Sequence, residues 1–427
     1  MAPVQAATPL PAETSVVIVG GGIIGAATAF YLSENGIPNV LCEKGEIAAE
    51  QSSRNWGWCR TIGREPREIP LSQLSLSLWR GLNEKLGVDT GFRPTGSMYL
   101  SATQAQFAAD LAWLERVRGH QLNIRTLSSA ALQDMLPASP QAWAGALHAP
   151  DDGRAEPGLA AQAIAAGAAA RGTTVLTRCA VRAVETKGGR IASVITERGP
   201  IRCENVVVAG GAWSRLFLGN LGIDLPQLRV LASVLRTTPL ENGPEIATKT
   251  LNFSFRRRLD KGYTVATAGT TISQITPDTF RQFGRFMPSL RGYWRALRFR
   301  VDGSFLEELR TPRRWQPDAV TPFERTRILD PKPSQAILSR TIRDLRAAFP
   351  VFDTVSVAGT WGGMIDVTPD SGPILDALPG TPGLYVATGF SGHGFGIGPG
   401  AGHAMAALVS GRTPSVDLKP FSYARFF

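Results

Sequence analysis

The chain has 427 residues, of which 43% are hydrophobic and 19% charged, and it carries a net charge of +10. Such a length exceeds one ordinary core, so two domains are expected, and the composition excludes a disordered chain. The basic balance fits a peripheral contact with an anionic membrane surface, anionic substrates, or a plain solvated surface. The basic residues are scattered and no nucleic-acid module is visible, so nucleic acid is not an expected partner.

Residues 1–14, MAPVQAATPLPAET, have neither a basic n-region nor a long apolar core, and read as a flexible tail rather than a signal peptide. No later run is long enough to span a bilayer. The four cysteines, Cys42, Cys59, Cys179 and Cys203, form no CxxC pair and show no metal-like spacing with the four histidines. Neither a disulfide framework nor a metal site is expected, and the cytoplasm is the expected location, with room for a peripheral contact on the inner face of the membrane.

The most informative stretch is residues 15–44, SVVIVGGGIIGAATAFYLSENGIPNVLCEK. An apolar β-branched run enters the turn Gly20-Gly21-Gly22-Ile23-Ile24-Gly25, and an Ala-rich helical pattern follows. A second apolar run ends on Glu43, about twenty residues past the glycines. This order of strand, glycine turn, helix, strand and acid is the unit that binds an ADP moiety. Gly20 allows the tight turn, Gly22 lets backbone approach a pyrophosphate, and Gly25 lets the helix pack close to the strand. The helix N-terminus offers free N–H groups and a positive dipole end. Glu43 suits both ribose hydroxyls and repels a 2′-phosphate.

Helical spacing returns at residues 71–86, a strand is expected in TGSMYLS, and a helix at 104–118. A small-residue helix is expected at 159–170. Alternating strands then run through residues 174–211 and return to the nucleotide domain. Residues 229–350 change character and are rich in Arg, Phe and Trp. Strand signals there lie near 251–255 and 263–267, and helical spacing at 288–299 and 335–348. The last 75 or so residues revert to a glycine-rich texture. The economical architecture is α/β: a Rossmann-like dinucleotide domain of the glutathione-reductase type, with an inserted α+β substrate domain. The expected nucleotide domain is residues 15–95, 145–228 and 355–427, and the expected substrate domain is 96–144 and 229–354.

Three glycine motifs favour FAD over NAD. In ENVVVAGGAWS a buried strand ends at Gly210-Gly211, where backbone can press against an extended cofactor. SVAGTWGGMIDVTPDSGPIL is the second. The third, residues 383–411, holds Gly389, Gly392, Gly394, Gly396 and Gly398, dense enough for a loop lying against a ring system. A helix opening near Pro399 would point its positive end at the flavin N1–C2=O edge.

With these motifs in hand the chain resembles, over essentially its full length, the D-amino-acid oxidase/dehydrogenase and glycine oxidase family of flavoproteins. The residues that carry the resemblance are GGGIIG with Glu43, EQSSRNWG, DDGRAEPG, VVVAGGAWS, TPDSGPI and TGFSGHGFGIGPGAG. EQSSR, SRLF and the terminal KPFSYARF also look like segments of bacterial L-amino-acid deaminases, which usually carry an N-terminal membrane anchor that this sequence is not expected to have.

The resemblance implies noncovalent FAD. Gly20, Gly22, Ile23, Ile24, Gly25, Glu43 and Lys44 would hold the ADP half, and Val181 would offer main-chain bonds to adenine. Ser52, Ser53 and Arg54 would line the pyrophosphate and ring region. Trp56, Gly57, Gly210, Trp213, Gly363, Gly392, His393, Gly394, Phe395, Gly396 and Ile397 would sit along the cofactor. Trp58, Asp366 and His393 are the candidates for contact with reacting atoms. The implied reaction passes a hydride from the α carbon of an amino acid to flavin N5, and water hydrolyses the imine to a 2-oxo acid and ammonia. A secondary-amine or opine-type dehydrogenase, and a flavin-binding subunit of a hetero-oligomeric dehydrogenase, are the alternatives. The expected partners are a small amino acid or amine and, as electron acceptor, oxygen or a quinone; the chain is also open to oligomerisation.

One departure bears on substrate. Many relatives read GLRP before TPD, with an Arg that takes the substrate carboxylate, and here the stretch is Gly363-Met364-Ile365-Asp366 with Ile365 at the Arg position. Arg60, Arg256, Arg257 and Arg258 are the candidate replacements. Asp366, an acid close to the expected flavin face, would favour a cationic amine or guanidinium group.

Overall fold

The strand Val16–Val19 is β-branched throughout and nearly all buried, which suits the centre of a sheet covered on both faces. It pairs in parallel with Asn39–Cys42 on one side and Asn205–Val208 on the other. The computed structural model describes residues 9–136, 139–293 and 297–427. Residues 1–8 of the expected tail and 294–296 of the expected helix at 288–299 therefore lie outside the described residues. The first sheet has six strands in the order Ile374–Ala377, Leu384–Thr388, Asn205–Val208, Val16–Val19, Asn39–Cys42, Thr174–Leu176. All its pairings are parallel except that of the edge strand Ile374–Ala377.

One face is covered by the helices Ile23–Glu34, Pro157–Ala169 and Gly394–Val409, which pack on one another as well as on the sheet. Small residues set their separation. A Cβ on Gly402 would lie 2.4 Å from the Ala27 Cβ, and one on Gly398 would lie 2.9 Å from Ile23. The terminal helix opens at Gly394, not near Pro399, and Pro399 is inside it. Gly396 and Gly398 are therefore helical packing residues, and only Gly389 and Gly392 keep the positive φ of a loop. The opposite face carries a three-stranded antiparallel sheet, Val181–Lys187, Arg190–Thr196 and Gly199–Arg202. Only Thr174–Leu176 and Asn205–Val208 of the expected run of strands join the parallel sheet.

The second large sheet has ten strands and takes most of its length from residues 228–300. The signals near 251–255 and 263–267 correspond to Ser254–Arg257 and Tyr263–Ala266, and Gln335–Ala348 is helical as expected. Its inner face buries Leu338, Leu345 and Ala348 against Phe255, Tyr263, Phe349 and Phe352. Residues 283–293 form a helix and 297–300 an edge strand, so the helix expected at 288–299 ends early. The boundaries drawn at 144/145 and 354/355 assign two strands to the wrong side. Gly145–Ala149 pairs with Ser97–Ser101, and Val357–Val367 pairs along nearly its whole length with Leu228–Thr237, both in the ten-stranded sheet. Only the second reads as glycine-rich in the sequence, and the register of both is set by partners outside their own segment.

If the glycines of the terminal helix serve packing, Gly402→Ala costs about 1–3 kcal/mol in urea denaturation. Gly81→Ala, in an exposed helix position with nothing near its Cβ, stabilises by about 0.5–1 kcal/mol. Equal effects at the two positions would contradict the packing assignment.

Candidate functional site

At the carboxyl end of Val16–Val19 the chain turns on Gly20, with φ +112°, where a Cβ would lie 2.5 Å from the Ala209 carbonyl oxygen. A Cβ on Gly25 would lie 1.9 Å from the Gly20 carbonyl oxygen, so only glycine lets the helix begin so close to the turn. Gly22 caps this helix without a side-chain bond, and the Ile23 N–H donates to Ser52 Oγ at 2.9 Å. Glu43, at the end of the next strand, accepts the Gly21 N–H on one carboxylate oxygen and the Gly45 N–H on the other, both at 2.7 Å. Burial pushes the Glu43 pKa up against the pull of those two N–H groups.

These groups line a cleft holding about 1230 Å³ of empty space, open solvent included. It runs outside the carboxyl ends of the parallel strands, where open α/β sheets bind their ligands. One end is lined by Glu43, Ala180 and Val181, the middle by Gly20, Gly22 and Gly210, and the other end by Met364, Asp366, Phe390 and Gly392. Ile23, Ile24, Lys44, Ser52, Trp213, Gly394 and Phe395 of the expected set also line it. Lys44 Nζ meets Glu50 Oε1 at 2.6 Å and stands 4.5 Å above the Trp213 ring, and Glu50 also accepts Trp213 Nε1–H.

Several expected residues do not line this cleft. Ser53 donates to the Glu50 carbonyl, and Arg54 pairs with Asp330 and donates to the carbonyls of Ala49 and Gly362. Gly363 packs against Gln51, and a Cβ there would lie 2.4 Å from Gln51 Oε1. Gly396 lies against the Trp58 carbonyl, and Ile397 is fully buried in the terminal helix. Trp56, Gly57 and Trp58 stand behind the cleft wall, joined to it through Asn55, whose Oδ1 accepts the Gly57 N–H. The short helix Gln51–Arg54 leaves Glu50, Gln51 and Ser52 on the cleft and turns Ser53 and Arg54 away from it, which the motif alone does not reveal.

Asp366 and His393 differ most from expectation. Asp366 lines the cleft, but its Oδ2 accepts the Gly389 N–H at 2.7 Å, Gln227 Nε2–H at 3.2 Å and the Thr388 hydroxyl at 3.3 Å. Its carbonyl takes the Ser391 N–H. This carboxylate ties down the turn after Leu384–Thr388, and its place as partner for a cationic substrate is taken by protein donors. Burial raises its pKa against those bonds. His393 caps the terminal helix from outside the cleft, and its Nδ1 lies 2.9 Å from Oε2 of the fully buried Glu68. Burial first, and then the Arg64 guanidinium, lower the His393 pKa to about 4, so its ring is neutral at pH 7.

The sequence reading missed Glu50, Gln51, Asn55, Met364 and Phe390, all on the cleft wall. Gln51 is informative because its Oε1 is buried without a hydrogen-bond partner. That oxygen lies against Gly363, and the fit to an extended ligand comes instead from the backbone left open along the cleft by Gly20, Gly22 and Gly210. Of the candidate carboxylate arginines, Arg256 is wholly buried and bidentate to Glu156, at 2.6 and 3.1 Å. Arg257 pairs with Glu245, and Arg258 with Asp260. Arg60 forms no ion pair among the described residues and stacks over Tyr99. No group of His, Cys, Asp and Glu among the described residues could hold a metal, and no helix is long and apolar enough to cross a membrane.

The family model described as "FAD dependent oxidoreductase" matches residues 15–408. A solved L-amino acid deaminase from Proteus myxofaciens, in complex with anthranilate, is 34% identical with a TM-score of 0.96, covering 100% of this chain and 96% of that one. Sarcosine oxidase subunit beta of Rhodobacter capsulatus is 26% identical over 413 residues, 95% of this chain and 87% of the relative. A glycine oxidase from Geobacillus kaustophilus shares the fold, with 22% identity, a TM-score of 0.77, and coverage of 97% of this chain and 99% of that one.

Because Asp366 holds a turn, Asp366→Ala is expected to lower FAD affinity and thermal stability together, by about 1–3 kcal/mol. Neutral and cationic amine substrates should lose activity equally. A loss confined to cationic substrates in steady-state kinetics would restore the ionic role.

Proposed function

The chain belongs to the family of FAD-dependent oxidoreductases, and from that premise we propose that it oxidatively deaminates an amino acid. The observation that carries the reading is the cleft itself, with a ribose-reading acid at one end and an apolar, glycine-turned wall at the other. Bound FAD supplies the two-electron acceptor. Everything else is the work of the chain. Glu43 keeps lone pairs free for ribose hydroxyls after accepting the Gly21 and Gly45 N–H groups. The N–H groups at the start of the Ile23–Glu34 helix face the pyrophosphate region, with Ser52 beside them. The Gly394–Val409 helix, sixteen residues long, directs its positive end toward the wall formed by Gly392 and Phe390. There it favours the negative charge that two-electron reduction of the cofactor creates.

By this reading the parallel sheet with its covering helices forms the nucleotide-binding part, and the ten-stranded sheet walls the substrate space. The substrate amine binds neutral, with its α hydrogen toward the cofactor. It leaves as an imine, and water converts this to the 2-oxo acid and ammonia. Asp366 and His393 act as positioning residues, the first on the Gly389 turn and the second on the start of the terminal helix. The likeness to a sarcosine oxidase subunit supports a second reading, in which an N-alkyl amine is oxidised by the same geometry. The electron acceptor is oxygen or a quinone.

Anaerobic addition of D- and L-amino acids, N-methyl amino acids and opines to the yellow protein tests both readings. Rapid bleaching of the oxidised flavin band by primary amino acids is expected, with release of ammonia. Bleaching by N-methyl compounds alone would transfer the assignment to the second reading. Readmission of air then separates the acceptors: prompt return of the band marks oxygen, and return only with added quinone marks the other.

A further inference from the structure

Residues 311–334 join the helices Ser304–Arg310 and Gln335–Ala348, the second of which packs on the ten-stranded sheet. On the way they run across the nucleotide end of the cleft, where Phe323 forms part of its lining. Regular structure in this segment, among the described residues, is the single turn Pro322–Arg325, capped by Thr321 and Glu324. Phe323 is buried and meets the rings of Trp213 and Trp315 edge-on, at 5.8 and 5.3 Å, while Val320 and Ile328 on either side of it are exposed.

Polar contacts hold the segment down, and they grip the cleft wall from both sides. Arg327 is bidentate to Glu197 and donates to the Lys44 carbonyl at 2.8 Å. Glu197 in turn accepts the Ala180 N–H at 2.6 Å, so one carboxylate joins the guanidinium to the lining residue Ala180. Lys44 Nζ returns the contact, donating to the carbonyls of Thr326 and Arg327, each at 2.9 Å. Gly45 lies so close beneath that a Cβ there would be 2.4 Å from the Arg327 carbonyl oxygen. Arg182 forks Glu324 at 3.0 and 2.7 Å, and the Leu329 N–H donates to Glu50 at 2.9 Å. The segment therefore bridges the chain at 44–50 and the chain at 180–197, which face each other across the Glu43 end of the cleft. A segment held by ion pairs and one aromatic ring opens at lower cost than the sheets beneath it. The Arg327 side chain is 35% exposed, which leaves its pairing open to screening by salt.

We propose that residues 311–334 form a latch over the adenosine end of the cleft, that FAD enters and leaves only when this latch lifts, and that Arg327 holds it shut. The glycines beneath set the shape of the site, and the latch sets how long the cofactor stays in it. Lifting breaks the ion pairs of Arg327 and Arg182 and withdraws Phe323 from the lining, with no covalent change. Because salt screens those pairs, release of FAD quickens as ionic strength rises. The proposal rests on the placement of adenosine at the Glu43 end, and it goes beyond the deamination reading because it concerns loading of the protein rather than its reaction.

The test measures two rates by flavin fluorescence: release of FAD from the loaded protein on dilution, and uptake of FAD by the deflavinated protein. Arg327→Met is expected to speed both about tenfold, so that Kd changes less than either rate. Added salt should speed release from the wild type more than from the variant. Glu324→Gln keeps the cap of the Pro322–Arg325 turn and loses the charge facing Arg182. It should move both rates in the same direction, and it serves if the Met variant fails to fold. Rates unchanged from the wild type in the soluble variants would overturn the latch. So would faster release with unchanged uptake, the mark of a residue that only touches bound cofactor. If the rates are unchanged but Glu43→Gln weakens FAD, the latch fails while the placement of adenosine stands; if Glu43→Gln also binds FAD like the wild type, that placement fails as well.

Discussion

The structure depends on one close approach, that of the first helix to the turn before it. The space between Gly25 and the Gly20 carbonyl would not admit a methyl group, and neither would the space between Gly20 and the Ala209 carbonyl. Those two contacts bring three backbone segments together at the carboxyl ends of adjacent parallel strands. They fix where the helix N-terminus points, and Glu43 closes the same turn from the next strand through the Gly21 N–H. A binding cleft of this kind is thus made largely of backbone. In the reading proposed here, its specificity for a dinucleotide rests on glycines and one acid rather than on a set of charged side chains.

The same device is repeated by the end of the chain. The terminal helix lies against the first helix through Gly398 and Gly402, so residues nearly four hundred positions apart share one packing layer. That contact carries Gly392 and Gly394 to the cleft opposite the first glycine turn. Asp366 completes the frame. Standing near the end of the long strand Val357–Val367, it ties the ten-stranded sheet to the Gly389 turn of the parallel sheet. A buried carboxylate with three protein donors is a structural fixture, and its conversion into a substrate partner would require breaking bonds already made.

Much of the nucleotide end was legible in the sequence because it is local. Residues 15–44 hold the strand, the turn, the helix and the acid in order, and each glycine there has a steric reason that spacing alone exposes. The substrate end was less legible because its geometry is built across the chain. The long strand Val357–Val367, which carries Met364 and Asp366 to the cleft, finds its partner in Leu228–Thr237, more than a hundred residues earlier. The glycines at 396 and 398 read as a ring-facing loop because density was legible and direction was not; the helix that contains them starts five residues before the proline that seemed to open it. Asp366 was read correctly as lying beside the cleft, but a sequence does not count the donors around a carboxylate. Gln51 went unnoticed since its signal, an acceptor buried without a donor, exists only in three dimensions.

The central claim is that the cleft reads the adenosine half of FAD through Glu43. Titration of FAD and FMN into deflavinated wild-type protein and into Glu43→Gln tests it directly, because FMN lacks the ribose that the carboxylate would hold. The account predicts that the substitution weakens FAD roughly tenfold and leaves FMN as it was. An equal loss for both flavins would mean that Glu43 only supports the turn, and would contradict the assignment of this end of the cleft.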